Sequence, residues 1–279
     1  MTVKWSHPRL PHNVIAVSIV LLSLILCGGG LLSWNRARFI SEHENQFVQS
    51  GQRPLIIRIQ TRTPEQIRRK ENITVQKKNE AVPVIINPSD KTPVLYHVDT
   101  TKPVVFLTID DGTFKEQNAA GYMGDRQLPI TAFLTLHDIK DNFGYFKQLQ
   151  QSGTTIENHT STHPKLNKFP FETQRNEICS TQDTLQTQYG KRPTLFRPPY
   201  GEYNDDTLRA AAVCGIRATI LWNVVVQNGA LQYQKHPGLK PGDIILLHYK
   251  PELKSDLEAT LRSIREQGME IGHLEDWVQ

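Results

Sequence analysis

The chain has 279 residues, 38% hydrophobic and 22% charged, with a formal net charge of +4 at pH 7. That composition suits a folded protein of one or two domains and excludes a wholly disordered chain. Positions 35–102 hold 12 basic and 7 acidic residues, while 103–279 hold 18 and 21. A nucleic-acid binder would carry its basic excess on the folded domain, so no nucleic-acid partner is expected.

Residues Val14 to Trp34 carry no charge, and about 20 apolar residues suffice to span a bilayer. Lys4 and Arg9 precede the run, which implies a cytoplasmic N-terminus at 1–13 and export of everything after 34. Arg36 and Arg38 oppose that orientation. No small-residue cleavage site stands out, so an uncleaved signal-anchor at 14–34 is favoured over a cleaved signal peptide. Cys27 follows the bulky Leu26, unlike a lipid attachment site. Residues 35–102 read as a basic, irregular, extracytoplasmic stalk. Within it, Thr63-Pro64-Glu65-Gln66 has the form of a capping box with proline at the first helical position. Short strands are expected at 55–59 and 82–86.

From 103 the texture changes. Apolar runs at 104–109, 129–135, 154–159, 194–197, 216–222, 243–249 and 269–274 read as strands. Between them, helices are expected at 138–152, 171–189, 204–214 and 253–267, each followed by a glycine. Alternating strands and helices imply an α/β fold with a parallel sheet. About seven such units suit an irregular, closed or nearly closed (β/α) barrel over 103–279. Cys179 and Cys214 carry no metal-binding spacing and read equally as a disulfide or as two buried thiols.

The chemistry-bearing residues cluster where strands end. Asp110 and Asp111 close the run PVVFLTIDDG. His159 and His163 frame HTSTH, Arg197 and Tyr200 belong to RPPYG, and His248 ends DIILLHY. In a parallel barrel those positions line the C-terminal rim, where catalysis occurs. Two histidines four apart can point the same way across a helical turn. With one carboxylate they make a three-ligand site with room for water, as zinc enzymes use. The second carboxylate can then take a proton from that water. Arg197 can hold a carboxylate such as Asp110 ionised. The N–H of Tyr200 can face a developing oxyanion, and His248 can act as a general acid.

TIDDG, HTSTH, RPPYG and LLH, in this order, resemble the motifs of the polysaccharide deacetylase family, the NodB-homology domain or carbohydrate esterase family four. The resemblance covers residues 103–279. It implies a (β/α) barrel with a divalent metal, Zn²⁺ above others, that removes acetyl groups from N-acetylated sugars of a polysaccharide such as peptidoglycan. By the same resemblance, Asp110 is the base and Asp111, His159 and His163 are the metal ligands. Tyr200 contributes to the oxyanion hole, Arg197 steadies Asp110, and His248 is the acid. One motif departs. The family often has a tryptophan followed by two aspartates and a second tryptophan; here Trp222 is kept, but Val225, Asn228 and Gly229 replace the rest. His248 is then without a carboxylate partner unless Glu202 or Asp205 serves. Three alternatives remain: an O-acetyl esterase, a non-catalytic glycan-binding surface protein that keeps the metal site, and a serine hydrolase using Ser161. No G-x-S-x-G elbow supports the last.

Overall fold

The computed structural model describes residues 62–87 and 89–279. The expected membrane helix at 14–34, the strand at 55–59 and stalk residues 35–61 lie outside the described residues. Among the described residues no helix is long and apolar enough to cross a membrane.

Helix α1 (Pro64–Lys70) comes first, and its cap has the form read from the sequence. Gln66 N–H donates to Thr63 Oγ1, and Thr63 N–H donates to Gln66 Oε1. The chain continues through β1 (Val94–Leu95), β2 (Val104–Asp111), α2 (Gln117–Arg126), β3 (Ile130–Leu134), α3 (Leu136–Ile139), α4 (Phe143–Gln151) and β4 (Thr155–Asn158). Then follow α5 (Phe171–Tyr189), β5 (Leu195–Phe196), α6 (Asp205–Val213), β6 (Ala218–Ile220), β7 (Val224–Gln227) and β8 (Ala230–Tyr233). The last elements are β9 (Ile244–His248), α7 (Leu253–Glu266), β10 (Glu270–Ile271) and α8 (Leu274–Trp277).

The strands form one curled sheet in the order β1–β6–β5–β4–β3–β2–β9–β7–β8, with β10 beside β2. Every neighbouring pair is parallel except the β7–β8 hairpin. Among the described residues no ladder joins β1 to β8, so the sheet is an open half-barrel. The seven strands read from apolar runs are all present, and β1, β7 and β8 extend them. Parallel strands are covered on both faces and so read as near-continuous apolar runs. That holds for β3, buried throughout, and for β9, buried up to His248. One apolar cluster fills the space under α2, α4 and α7, with Leu107, Ile130, Phe146 and Leu257 fully buried. The other includes Phe106, Phe133, Ile244 and Trp277, with the Phe106 and Trp277 rings edge to face at 5.8 Å.

Residues 62–87 and 89–102 do not behave as a stalk. They run along the folded body as a strap. Arg126 pairs with Glu71, Val75 bridges to Ile271, and Val84 bridges to Val278. Trp277 Nε1 donates to Gln76 Oε1 at 2.9 Å. Val98 is buried in the cluster around Trp277, and β1 pairs with β6. The boundary expected at 103 therefore moves back to about 62. The strap has few apolar side chains, which is why it reads as irregular. Its anchors are backbone pairings and single insertions that a pattern of hydrophobicity does not display.

The strap's burial makes its removal costly. A chain beginning at residue 62 should unfold in one transition. A chain beginning at 103 should melt at least about 10 °C lower, since each kcal/mol shifts Tm by roughly 2–4 °C at this size. Circular dichroism melts of the two chains test this, and equal Tm values would refute it.

Candidate functional site

The site is built where β2, β4 and β5 end. Successive residues of a strand point to opposite faces, so Asp110 and Asp111 should diverge. They do not, because Asp111 takes a left-handed backbone (φ 78) and Gly112 follows with φ 92. A side chain at 112 would strike Ile139 Cγ2 at 2.5 Å, so only glycine completes this turn. The turn brings both carboxylates to one imidazole. His159 Nε2 lies 3.7 Å from Asp110 Oδ2 and 3.5 Å from Asp111 Oδ1.

Arg197 fixes Asp110. Its guanidinium is fully buried and stacks 4.3 Å over the Phe133 ring. Nη1 donates to Asp110 Oδ1 at 2.7 Å and to Thr108 Oγ1 at 2.8 Å. Nε and Nη2 donate to the carbonyls of Ile220 and Leu221. Burial pushes the guanidinium pKa down, and the Asp110 charge offsets only part of that. The Arg197 carbonyl accepts from His159 Nδ1 at 2.7 Å. A carbonyl can only accept, so Nδ1 carries a proton and Nε2 is the ring atom turned toward Asp111.

Asp111 Oδ1 is buried without a hydrogen-bond partner. It lies 3.3 Å from His163 Nε2 as well as 3.5 Å from His159 Nε2. The three ligand atoms offered by Asp111, His159 and His163 fall within 4.8 Å of one another. Adjacent ligands of a tetrahedral ion with bonds of about 2.0–2.1 Å stand about 3.3 Å apart. Two edges of the triangle match that spacing. An orphaned carboxylate oxygen with two imidazole Nε2 atoms turned toward it is a donor set that a cation can share, so these residues fit a divalent ion. Burial raises the Asp111 pKa, but His159 and His163 outweigh it and hold the carboxyl well below the usual range. Burial lowers the His159 pKa, and Asp110 and then Asp111 more than offset it, leaving it raised.

The histidine pair does not share a helical turn. Residues 159–163 form an irregular loop, with Thr160 at φ 71 and His163 at φ 61. Pro164 follows His163 and disfavours a right-handed helix there. Tyr200, also left-handed at φ 61, sets its ring 4.7 Å from that of His163 and is 58% exposed. His248 stands beside Asp110 in the β2–β9 ladder.

The family pattern described as polysaccharide deacetylase matches residues 97–219. An uncharacterized protein of Streptomyces coelicolor is 41% identical over 192 residues, covering 67% of this chain and 77% of that protein. The chain belongs to the polysaccharide deacetylase family. The peptidoglycan-N-acetylglucosamine deacetylase PgdA of Listeria monocytogenes is 27% identical over 192 residues, 66% of this chain and 40% of PgdA. A crystal structure of a CE4 family pseudoenzyme from Bacillus anthracis shares the fold, with a TM-score of 0.58 at 22% identity over 67% of this chain and 68% of that one.

The departing motif is a hairpin in this chain. Asn228 (φ 52) and Gly229 (φ 74) form its two-residue turn. The signal was present in the sequence as Asn-Gly between VVVQ and ALQY. Val225 sits beside Leu246, and no carboxylate pairs with His248 among the described residues. Glu202 pairs with Lys165 and Asp205 with Lys91, so neither replaces the missing partner. Burial lowers the His248 pKa; Asp110 and Asp111 oppose that without reversing it. Trp222 is retained and supports the site from behind, in contact range of Gly201 and 5.6 Å from the Arg197 guanidinium. The Ser161 hydroxyl bonds to Ser180 and Thr181 rather than to a histidine, which removes the serine-nucleophile alternative. Thr108 is a site residue that the sequence reading missed. It sits mid-strand and buried, so its hydroxyl gives no signal before Arg197 is seen to use it.

Two outcomes follow. Arg197→Met should cost about 3–5 kcal/mol in urea unfolding, because it leaves a buried carboxylate unpaired; a loss under about 1 kcal/mol would refute the pairing's role. Divalent-ion affinity should fall as pH drops, because protons compete for the imidazoles. With the His159 pKa raised, the decline should begin above the ordinary histidine value of 6.5. Zn²⁺ titrations from pH 8 down to about 5 check this, since free imidazoles would titrate near 6.5.

Proposed function

We propose that the protein is a metal-dependent hydrolase that removes acetyl groups from N-acetylated sugars of a cell-surface polysaccharide such as peptidoglycan. The observation that carries this reading is the unpartnered Asp111 Oδ1 between two imidazoles, next to an Asp110 pinned by Arg197. Asp111, His159 and His163 would hold the ion, with Zn²⁺ the best match to a donor set of two nitrogens and one oxygen. Such an ion supplies acidified water and a polarised acetyl carbonyl.

The chain's own residues do the rest. Arg197 occupies Asp110 Oδ1, which leaves Oδ2 to take the proton of the attacking water. The carbonyl carbon becomes tetrahedral, and its oxygen gains charge. The Tyr200 N–H, presented by a turn whose preceding prolines have no N–H, faces that oxygen. His248 gives a proton to the departing nitrogen as the carbon–nitrogen bond breaks. Acetate and a free amine leave.

The altered hairpin favours a second reading on one point. An alcohol leaves with less help than an amine, so a His248 without a carboxylate partner suits an O-acetyl ester. For location, the uncharged run at 14–34 supports a single-pass membrane anchor with the catalytic domain outside. The Cys179–Cys214 disulfide between α5 and the end of α6 supports the same placement, since disulfides persist in oxidising compartments. The name of PgdA supports peptidoglycan among possible glycans.

Acetate release from N-acetylated oligosaccharides and from acetylated xylan tests both readings. Chelation should abolish it and Zn²⁺ restore it. Asp110→Asn should lower kcat by about 10²–10⁴-fold. His248→Ala should cost at least about 10²-fold on the amide and less on the ester. A folded, Zn²⁺-loaded protein that releases no acetate from any glycan would support a non-catalytic glycan binder instead.

A further inference from the structure

Residues 159–163 carry two of the three cation-facing side chains, yet they form no regular element. Thr160 and His163 both adopt left-handed backbone, a conformation that the β-carbon disfavours. Contacts from outside the loop must hold such a conformation. Two of its hydrogen bonds are local: Thr160 N–H donates to Asn158 Oδ1 at 2.9 Å, and His163 N–H donates to Thr160 Oγ1 at 3.1 Å. The carbonyls of Thr160 and Ser161 accept from the N–H groups of Leu136 and His137. The middle of the loop is held by α5: the Ser161 hydroxyl bonds to Ser180 and Thr181, the Ser161 N–H reaches the Glu177 main-chain carbonyl at 3.1 Å, and the Glu177 carboxylate makes three further bonds. Its Oε2 accepts from the N–H groups of Ser161 and Thr162 at 3.0 and 2.9 Å. Its Oε1 accepts from the Thr162 hydroxyl at 2.9 Å. Both carboxylate oxygens are spent on this loop, and among the described residues no lysine or arginine pairs with Glu177.

We propose that Glu177 is a positioning residue for the cation site. Its carboxylate sets the backbone of residues 161–162 and thereby delivers the His163 imidazole to Asp111. This rests on the reading that Asp111, His159 and His163 bind a divalent ion. Glu177 makes no hydrogen bond to any of the three side chains and acts through the N–H groups of Ser161 and Thr162 and the Thr162 hydroxyl. Its helix is a firm base for the task. Ile178 and Gln182 are fully buried, and Gln182 Oε1 accepts from Asn158 Nδ2 at 2.9 Å. Asn158 in turn caps Thr160. The Cys179–Cys214 bond ties the same turn of α5 to the end of α6. Two N–H groups converging on one ionised oxygen form charge-assisted bonds, stronger than a neutral acceptor would give. A glutamine at 177 keeps the shape but loses the charge and can turn its NH₂ toward a donor. An alanine leaves the Thr162 N–H and hydroxyl without their acceptor, while the Ser161 N–H keeps only the main-chain carbonyl of residue 177.

The test uses the full chain, stripped of metal and titrated with Co²⁺, with Zn²⁺ as competitor. Glu177→Ala should weaken Co²⁺ binding by about 10–100-fold, the usual loss when an outer hydrogen-bond partner of a metal ligand is removed. Its visible Co²⁺ spectrum should move toward that of His163→Ala. The metal-free circular dichroism spectrum should stay that of the wild type. Glu172→Ala, on the same helix but paired only with Arg175, should bind as the wild type does. If Glu177→Ala does not fold, Glu177→Gln carries the test, with at least about a threefold rise in Kd expected from one weakened hydrogen bond. Wild-type affinity and spectrum in the folded variant would overturn the role of Glu177 while leaving the metal site intact. A wild-type chain that binds neither ion would overturn both.

Discussion

Arg197 places a full positive charge where no solvent reaches it. An ion buried that way is tolerated only when its hydrogen bonds are met and an opposite charge lies close. Here the carbonyls of Ile220 and Leu221, the Thr108 hydroxyl and the Asp110 carboxylate meet that demand. The same residue also acts through its backbone, since its N–H donates to Asn158 O and its carbonyl receives His159 Nδ1–H. One residue therefore orients the proposed base and one proposed metal ligand together. β2, β4, β5 and β6 are all tied to it, so the position of either group cannot drift without breaking a buried contact.

Strain is distributed to match. Seven non-glycine residues in the described chain have positive φ, and Asp111, Thr160, His163 and Tyr200 are four of them. All four line one site. Such residues persist only where surrounding structure over-determines them. In each case that structure can be named. Gly112 leaves no side chain to collide with Ile139. The Glu177 carboxylate holds the loop between the histidines. The two prolines before Tyr200 restrict the turn that carries it.

How much of this was legible depended on which physical signal each part used. The central strands announced themselves because both faces are covered and the residues must be apolar. Helices α5, α6 and α7 were readable from their length and their terminal glycines. Helix α2 was not, because Gly121 and Gly124 interrupt a mostly polar stretch that nonetheless buries Ala119 and Met123. The helix expected over 138–152 is two pieces, broken near Asn142, where the backbone leaves helical angles. The order of the site residues was visible, but the device that joins Asp110 to Asp111 was not. Strict alternation would have separated them, and only the left-handed turn at 111 brings them together. The strap was hidden for a different reason. Its anchors, Gln76 with Trp277 and Thr92 with Thr219, are single polar pairs linking residues more than a hundred positions apart.

The hairpin at 224–233 changes the electrostatics of one group without touching the rest. Where the family motif would place carboxylates, this chain has Val225, a tight Asn-Gly turn, and a Gly229 N–H that donates to Asp256 Oδ1. The carboxylates that chiefly raise the His248 pKa are then Asp110 and Asp111, and burial outweighs them. A lower pKa makes imidazolium a stronger proton donor but a rarer one at neutral pH. General-acid catalysis depends on the product of those two quantities. For an amine leaving group, protonation is a large part of the barrier, and scarcity of the acid is costly. For an alkoxide the demand is smaller, and the same histidine suffices. Under the proposed function, the choice between nitrogen and oxygen as the acetylated atom turns on the hairpin beside the site, while the residues grouped around Asp111 would serve either reaction equally.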